Sequence, residues 1–243
     1  LFILASLMAL VVQRVTRHRF SEQEAALLAF SSGTGNTGYF GLPIALILLP
    51  PEGVTLYLFC MLGINIYEFT VGFYLSARGR FSVRESLIKI SRLPLIYAFL
   101  LALLLSAFKI TLPAEVMNSL AVFPATYTLL GMMIIGMTLS QVTLTAWDTR
   151  FVATCVGLRY LMWPLAMLVA VLTLQWVAPL STELALALLL LGVVPMAANV
   201  VVVAMELGIQ PQKGALAVLV TTLLAPLLIP LYLGLMLRLT GLG

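Results

Sequence analysis

EAALLAFSSGTGNTGYFGLPIALILL, residues 24–49, is apolar enough to lie in a membrane, yet it cannot form a smooth helix. Its centre holds Gly33, Gly35, Gly38, Gly41 and Pro43, with polar Thr34, Asn36 and Thr37 among them. Each Gly costs about 1 kcal/mol against Ala in a helix interior, and Pro about 3 kcal/mol. Concentrating them at mid-span predicts a break. Backbone groups freed at that depth are tolerated only where they line a cavity or are covered by protein.

A second stretch repeats the pattern more mildly. ELALALLLLGVVPMAANVVVVAMEL, residues 183–207, carries Gly192, Pro195 and Asn199 near its middle. Pro195 removes one backbone donor and disturbs the carbonyl four residues earlier, at Leu191. Taken alone this stretch reads more readily as a kinked packing helix. The pairing changes the reading. Asn36 and Asn199 are 163 residues apart, and Gly53 and Gly214, near the starts of the helices that follow, are 161 apart. Interrupted spans at corresponding positions of two halves point to the binding site of an inverted-repeat transporter.

The rest of the chain fits that class. Of 243 residues, 62% are hydrophobic and 9% charged, too little polar surface for a soluble particle. A soluble enzyme, a disordered chain and a nucleic-acid binder are excluded. Eight apolar spans are expected, at about 1–12, 25–49, 53–77, 90–111, 118–141, 151–176, 184–205 and 214–237. The class is an all-α polytopic membrane protein. Loops alternate sides, and those after spans one, three, five and seven hold ten Lys and Arg against two on the other side, Lys109 and Arg238. The positive-inside rule places the ten in the cytoplasm and the C-terminus outside, in a multi-pass cytoplasmic (inner) membrane protein.

The opening run LFILASLMALVV is shorter than the ~20 residues of a full span. The offset near 160 places the start of the first repeat about 70 residues before residue 1, so two preceding helices are expected, restoring five spans per repeat and ten in all. On this division residues 1–88 are the remainder of the first repeat with a cytoplasmic linker, and 89–243 the second, within one membrane domain.

Two charges fall inside spans, Glu68 and Arg159. Such residues face a cavity or pair, and their similar depth permits an ion pair; Glu68 is also the candidate proton-linked group. Asn65 shares a helix face with Glu68. Tyr57, Tyr74, Trp147 and Trp176 read as interfacial belt residues. Cys60 and Cys155 read as free thiols in apolar runs, and the single His18 sits in a basic loop, so neither a disulfide framework nor a metal centre is expected. No cofactor is expected either. Gly33–Gly38 matches GxGxxG and resembles a flavodoxin phosphate loop, but both need a preceding strand. An intramembrane enzyme would need a catalytic constellation that is missing here, and a channel a continuous polar path.

Several stretches resemble the auxin efflux carrier family, bacterial permeases included: GNTGYFGLPIA (35–45), RLPLIYAFLLALLL (92–105), LLGMMIIGMTLS (129–140), VVPMAANVVVVAMELG (193–208) and TTLLAPLLIPL (221–231). The resemblance implies a ten-helix fold of two inverted five-helix repeats, similar to that of bile acid–sodium symporters, with residues 25–49 and 184–205 as crossing helices. It implies secondary transport of small organic anions such as auxin, malonate or other carboxylates. Asn36 and Pro43 fall on the first crossover motif, Pro195 and Asn199 on the second. The expected substrate-binding set is therefore Thr34, Gly35, Asn36, Thr37, Pro43, Pro195 and Asn199. Proton or sodium coupling, surrounding lipid and a homodimer are all compatible with it. The alternatives are a sodium-coupled bile-acid-type symporter and a passive anion channel.

Overall fold

The computed structural model describes residues 1–92, 94–120, 122–123, 126, 129–130, 133, 136–137, 147–178 and 180–241. Three of the described helices are long and apolar enough to cross a membrane: α4 (Pro51–Arg78), α8 (Thr149–Val177) and α11 (Pro211–Thr240). At 1.5 Å per residue, each exceeds a hydrocarbon core of about 30 Å. The first helix, α1, runs over Phe2–Thr16.

Both interrupted spans are pairs of half-helices. α2 (Glu22–Gly33) stops at the first glycine, Thr34 and Gly35 are extended, Asn36 turns the chain with the Thr37 amide donating to the Gly35 carbonyl at 2.7 Å, and a π-helical turn at Thr37–Gly41 leads into α3 (Leu42–Leu48). α9 (Thr182–Val193) and α10 (Asn199–Leu207) flank the second break. α5 (Val83–Ser91), α6 (Pro94–Ala107) and α7 (Ala114–Leu120) complete the described helices.

One of the expected spans is corrected. The fourth, placed at 90–111, is the shorter helix α6, because Pro94 starts it and the chain from 110 to 113 is not helical. Its Tyr97, Leu100, Leu101, Leu103 and Leu104 are exposed. The fifth, 118–141, lies for the greater part outside the described residues.

α2 packs on α1 and on the second half of α4, whereas α9 packs on the first half of α4 and on α8. α10 lies along α11. The apolar core is thereby divided into slabs. One gathers Leu27, Phe30, Phe73, Phe151, Val200 and Val218. A second gathers Ala45, Tyr57, Val171, Leu189, Val194 and Ile229, and a third Ala5, Met8, Ala29, Tyr67, Trp163 and Met167. The two breaks lie where the slabs meet.

One end of the bundle is charged. A Ser21–Glu24 capping box starts α2, and Asp148 Oδ1 accepts from the Phe151 amide at 3.1 Å to start α8. Lys213, in the first turn of α11, donates to Glu24 and, at 2.6 Å, to Asp148 Oδ2. Lys213 and the Phe151 amide hold the Asp148 carboxyl below its usual range. Nearby, Arg80 Nη1 donates to the Leu207 carbonyl at 3.1 Å. Residues from all four basic loops thus meet at one end, as alternation of loops requires.

Candidate functional site

The two breaks cross each other. Gly35 and Met196 form an isolated antiparallel bridge, and the Asn36 amide donates to the Pro195 carbonyl at 2.8 Å. Two short extended segments thus satisfy each other where neither has a helical partner. Pro195 lacks an N–H, so its carbonyl is the group it offers to this contact. The Met196 amide donates to Thr221 Oγ1 of α11 at 3.3 Å.

A broken helix leaves carbonyls bare at one stub and amides bare at the other. Here the bare carbonyls are met by long polar side chains. At the end of α2, Tyr67 donates its hydroxyl to the Ala29 and Phe30 carbonyls at 2.9 and 3.2 Å, and Trp163 Nε1 donates to Ser32. At the end of α9, Arg159 donates through Nη2 to Leu191 at 2.9 Å and through Nε to Val194. Its guanidinium lies 5.3 Å from the Trp163 ring centroid. A helix C-terminus carries about half a negative charge, so a buried guanidinium is stabilised there without a carboxylate. Close approach needs Gly35, where a Cβ would lie 2.5 Å from Arg159 Nη2. Gly41 admits Tyr57, whose hydroxyl donates to the Thr37 carbonyl at 2.8 Å.

The bare amides face a cavity of about 130 Å³, lined by Gly35–Tyr39, Met61, Asn65, Glu68 and Ala197–Asn199. Asn36 Oδ1 accepts from the Tyr39 and Phe40 amides at 3.1 and 3.2 Å. With its oxygen so engaged, the side chain offers the cavity its NH2 group. α10 has no side-chain cap. Asn199, its first residue, lines the cavity together with Glu68. Glu68 is 3% exposed, and its Oε1 has no partner.

The residues expected at the site divide into two groups. Gly35, Asn36, Thr37 and Asn199 are brought together with Glu68 around the cavity. Thr34 is buried behind it, its hydroxyl donating to Phe30 at 3.3 Å, and Pro195 serves through its carbonyl. Pro43 lines a separate apolar groove of about 880 Å³ between α3, α9 and α11. The Glu68–Arg159 ion pair is not formed. Arg159 is held by the α9 carbonyls and Glu68 lines the cavity with Asn199, so equal depth put them on different sides of the crossing. Tyr57 is not a belt residue but fully buried against the first break, whereas Trp147 and Trp176 are exposed.

The residues missed were the capping side chains Tyr57, Tyr67 and Trp163. Their only sequence signal was a polar tip on a large ring inside a span, which normally finds a partner when buried. The two buried charges carry a backbone signature too: π-helical turns begin at Glu68 (Glu68–Gly72) and at Leu158, next to Arg159 (Leu158–Met162). Such turns recur at functional sites. No strand precedes Gly33–Gly38, so the nucleotide-loop match has no structural counterpart.

A family model described as membrane transport protein matches residues 76–233, about two thirds of the chain, and takes in the second break but not the first. No curated protein and no solved structure matches.

Proposed function

The chain belongs to the auxin efflux carrier family of membrane transport proteins, and from that premise we propose that it is a secondary carrier for small organic anions, carboxylates above all, working by alternating access. The observation that carries the reading is the cavity at the crossing. Two half-helix N-termini, each worth about half a positive charge, open on it beside the amides of Asn36 and Asn199. Carbonyl stubs, which would repel an anion, are taken up by Arg159, Trp163 and Tyr67. The stub dipoles and the side-chain amides of Asn36 and Asn199 suit a carboxylate.

The substrate carboxylate sits between the stubs, with Asn36 and Asn199 as side-chain donors and Gly35 and Thr37 forming the wall. Glu68 is the proton-linked group. The two halves, 1–88 and 89–243, act as inverted repeats, with the charged end of Lys213 in the cytoplasm and the C-terminus outside. One bundle rocks against the one that bears the crossing.

The test uses protein reconstituted in vesicles and uptake of radiolabelled malonate and indole-3-acetate. Asn36→Asp keeps an oxygen to cap Tyr39 and Phe40 but replaces the NH2 with a second carboxylate oxygen. Loss of uptake with unchanged folding is expected. Uptake at the wild-type rate refutes the assignment. Uptake driven by a sodium gradient and indifferent to a protonophore favours the sodium-coupled alternative.

A further inference from the structure

Glu68 occupies the place that a substrate anion needs. Its carboxyl lines the same 130 Å³ cavity as the two N-terminal stubs, is almost wholly buried, and shares that cavity with Asn199, one of the two amides that would hold a substrate. A cavity of that size has the volume of about four waters, room for one carboxylate group beside Glu68. Besides Glu68, the one ionisable side chain lining the cavity among the described residues is Tyr39, a phenol that is neutral near pH 7. From α4 itself Glu68 is faced by Asn65; from the first break by Gly35–Tyr39; from α10 by Ala197–Asn199. α1 contributes apolar Ala5, Met8 and Ala9 to the cluster around neighbouring Tyr67. Arg159 lies behind Gly35, outside the cavity lining, with Nε and Nη2 given to the Val194 and Leu191 carbonyls and Nη1 without a partner. Tyr67, next in the chain, spends its hydroxyl on α2.

Resting on the carrier reading above, we propose that ionised Glu68 is a tethered stand-in for the substrate anion, so that substrate binds only after Glu68 takes up a proton. The substrate carboxylate then replaces the Glu68 carboxylate as the one negative charge against the two N-terminal stubs, and Asn199 turns to the substrate. The charge of the loaded site equals that of the empty one. Each monocarboxylate therefore crosses with one proton and moves no net charge, whereas a dicarboxylate moves one negative charge.

The consequence for binding is arithmetical. When the competent state is the protonated fraction, apparent Kd is the intrinsic value divided by that fraction. Above the titration point of Glu68, affinity falls tenfold per pH unit. Glu68→Gln mimics the protonated form and flattens the dependence.

The experiment is calorimetric titration of the full chain in detergent with indole-3-acetate, which is fully ionised from pH 6.5 to 8.5, in two buffers of different ionisation enthalpy. Uptake of one proton per bound molecule at the alkaline end is expected, with the tenfold-per-unit loss of affinity. In Glu68→Gln both vanish. Wild-type binding with no proton uptake and a constant Kd overturns the proposal while leaving the carrier reading intact. Absence of binding at every pH by indole-3-acetate, and by malonate in the same cell, overturns both. If Glu68→Gln does not fold, the wild-type proton count alone decides.

Discussion

The two breaks look alike in outline and differ in how they are held. The first is rich in glycine and capped from within: Asn36 turns its oxygen onto the Tyr39 and Phe40 amides. The second has a proline and no side-chain cap. It is held from outside, by Arg159 of α8 on its carbonyls and Thr221 of α11 on the Met196 amide. Asn36 and Asn199 stand at matching positions, but one uses its oxygen for the backbone and the other shares the cavity with Glu68. Matching positions therefore predict where a site lies without predicting what each residue does there. The self-capped break is the framework half of the site; the uncapped break leaves its donors for chemistry.

That contrast can be broken by substitution, and the largest effect is expected at Arg159. Arg159→Met removes the charged donor to Leu191 and Val194 and leaves both carbonyls buried, at a cost of about 3 kcal/mol. Melting of the purified protein in detergent checks this; an unchanged midpoint means the second break holds itself. Next is Gly35→Val, which forces the Arg159 guanidinium from its place; overpacking of this kind costs about 1–3 kcal/mol. Gly38→Ala is the matched control, since a Cβ there meets nothing within 4 Å, and it is expected to leave the midpoint unmoved.

Asn36→Ala and Asn199→Ala sharpen the comparison directly. Loss of an N-cap costs about 1 kcal/mol, so Asn36→Ala is expected to lower the melting midpoint and Asn199→Ala to leave it nearly unchanged, while both impair transport. Equal destabilisation by the two would contradict the division of labour.

The smallest effect is expected far from the crossing. Lys213→Met breaks the contacts to Glu24 and Asp148, worth about 1 kcal/mol or less for a solvent-accessible pair, and the difference should shrink in high salt. The sign with pH follows from Asp148, whose carboxyl is held below its usual range when folded. Its contribution is complete above the unfolded value of about 4 and fades as the pH falls through the lowered folded value. The midpoints of wild type and Lys213→Met are therefore expected to converge in acid.

The position of both breaks was legible because glycine, proline and polar residues are costly at mid-membrane, and cost leaves a mark in composition. Gly33 ends α2 and Asn199 begins α10 where the residues themselves say so. The Ser21–Glu24 capping box that starts α2 is a local pattern with a local mechanism that the reading of spans did not use. The resemblance in GNTGYFGLPIA and VVPMAANVVVVAMELG supplied the site residues, and four of them, Gly35, Asn36, Thr37 and Asn199, share the cavity.

Facing was not legible. Glu68 and Arg159 have similar depth, and depth follows from counting residues along a helix. Whether two such side chains meet depends on helix rotation and on which backbone groups the neighbours leave bare. In an apolar span every face looks alike in sequence, so Tyr57 read as an interfacial ring though it is wholly buried. The amino-acid sequence by itself determined that this chain lies in a membrane and where its helices must break, because those are local costs of burying backbone. Only the tertiary structure decided that the two breaks meet, that Arg159 answers a helix end rather than Glu68, and that Glu68 is left facing the donors, because each of those depends on groups far apart in the chain satisfying one another.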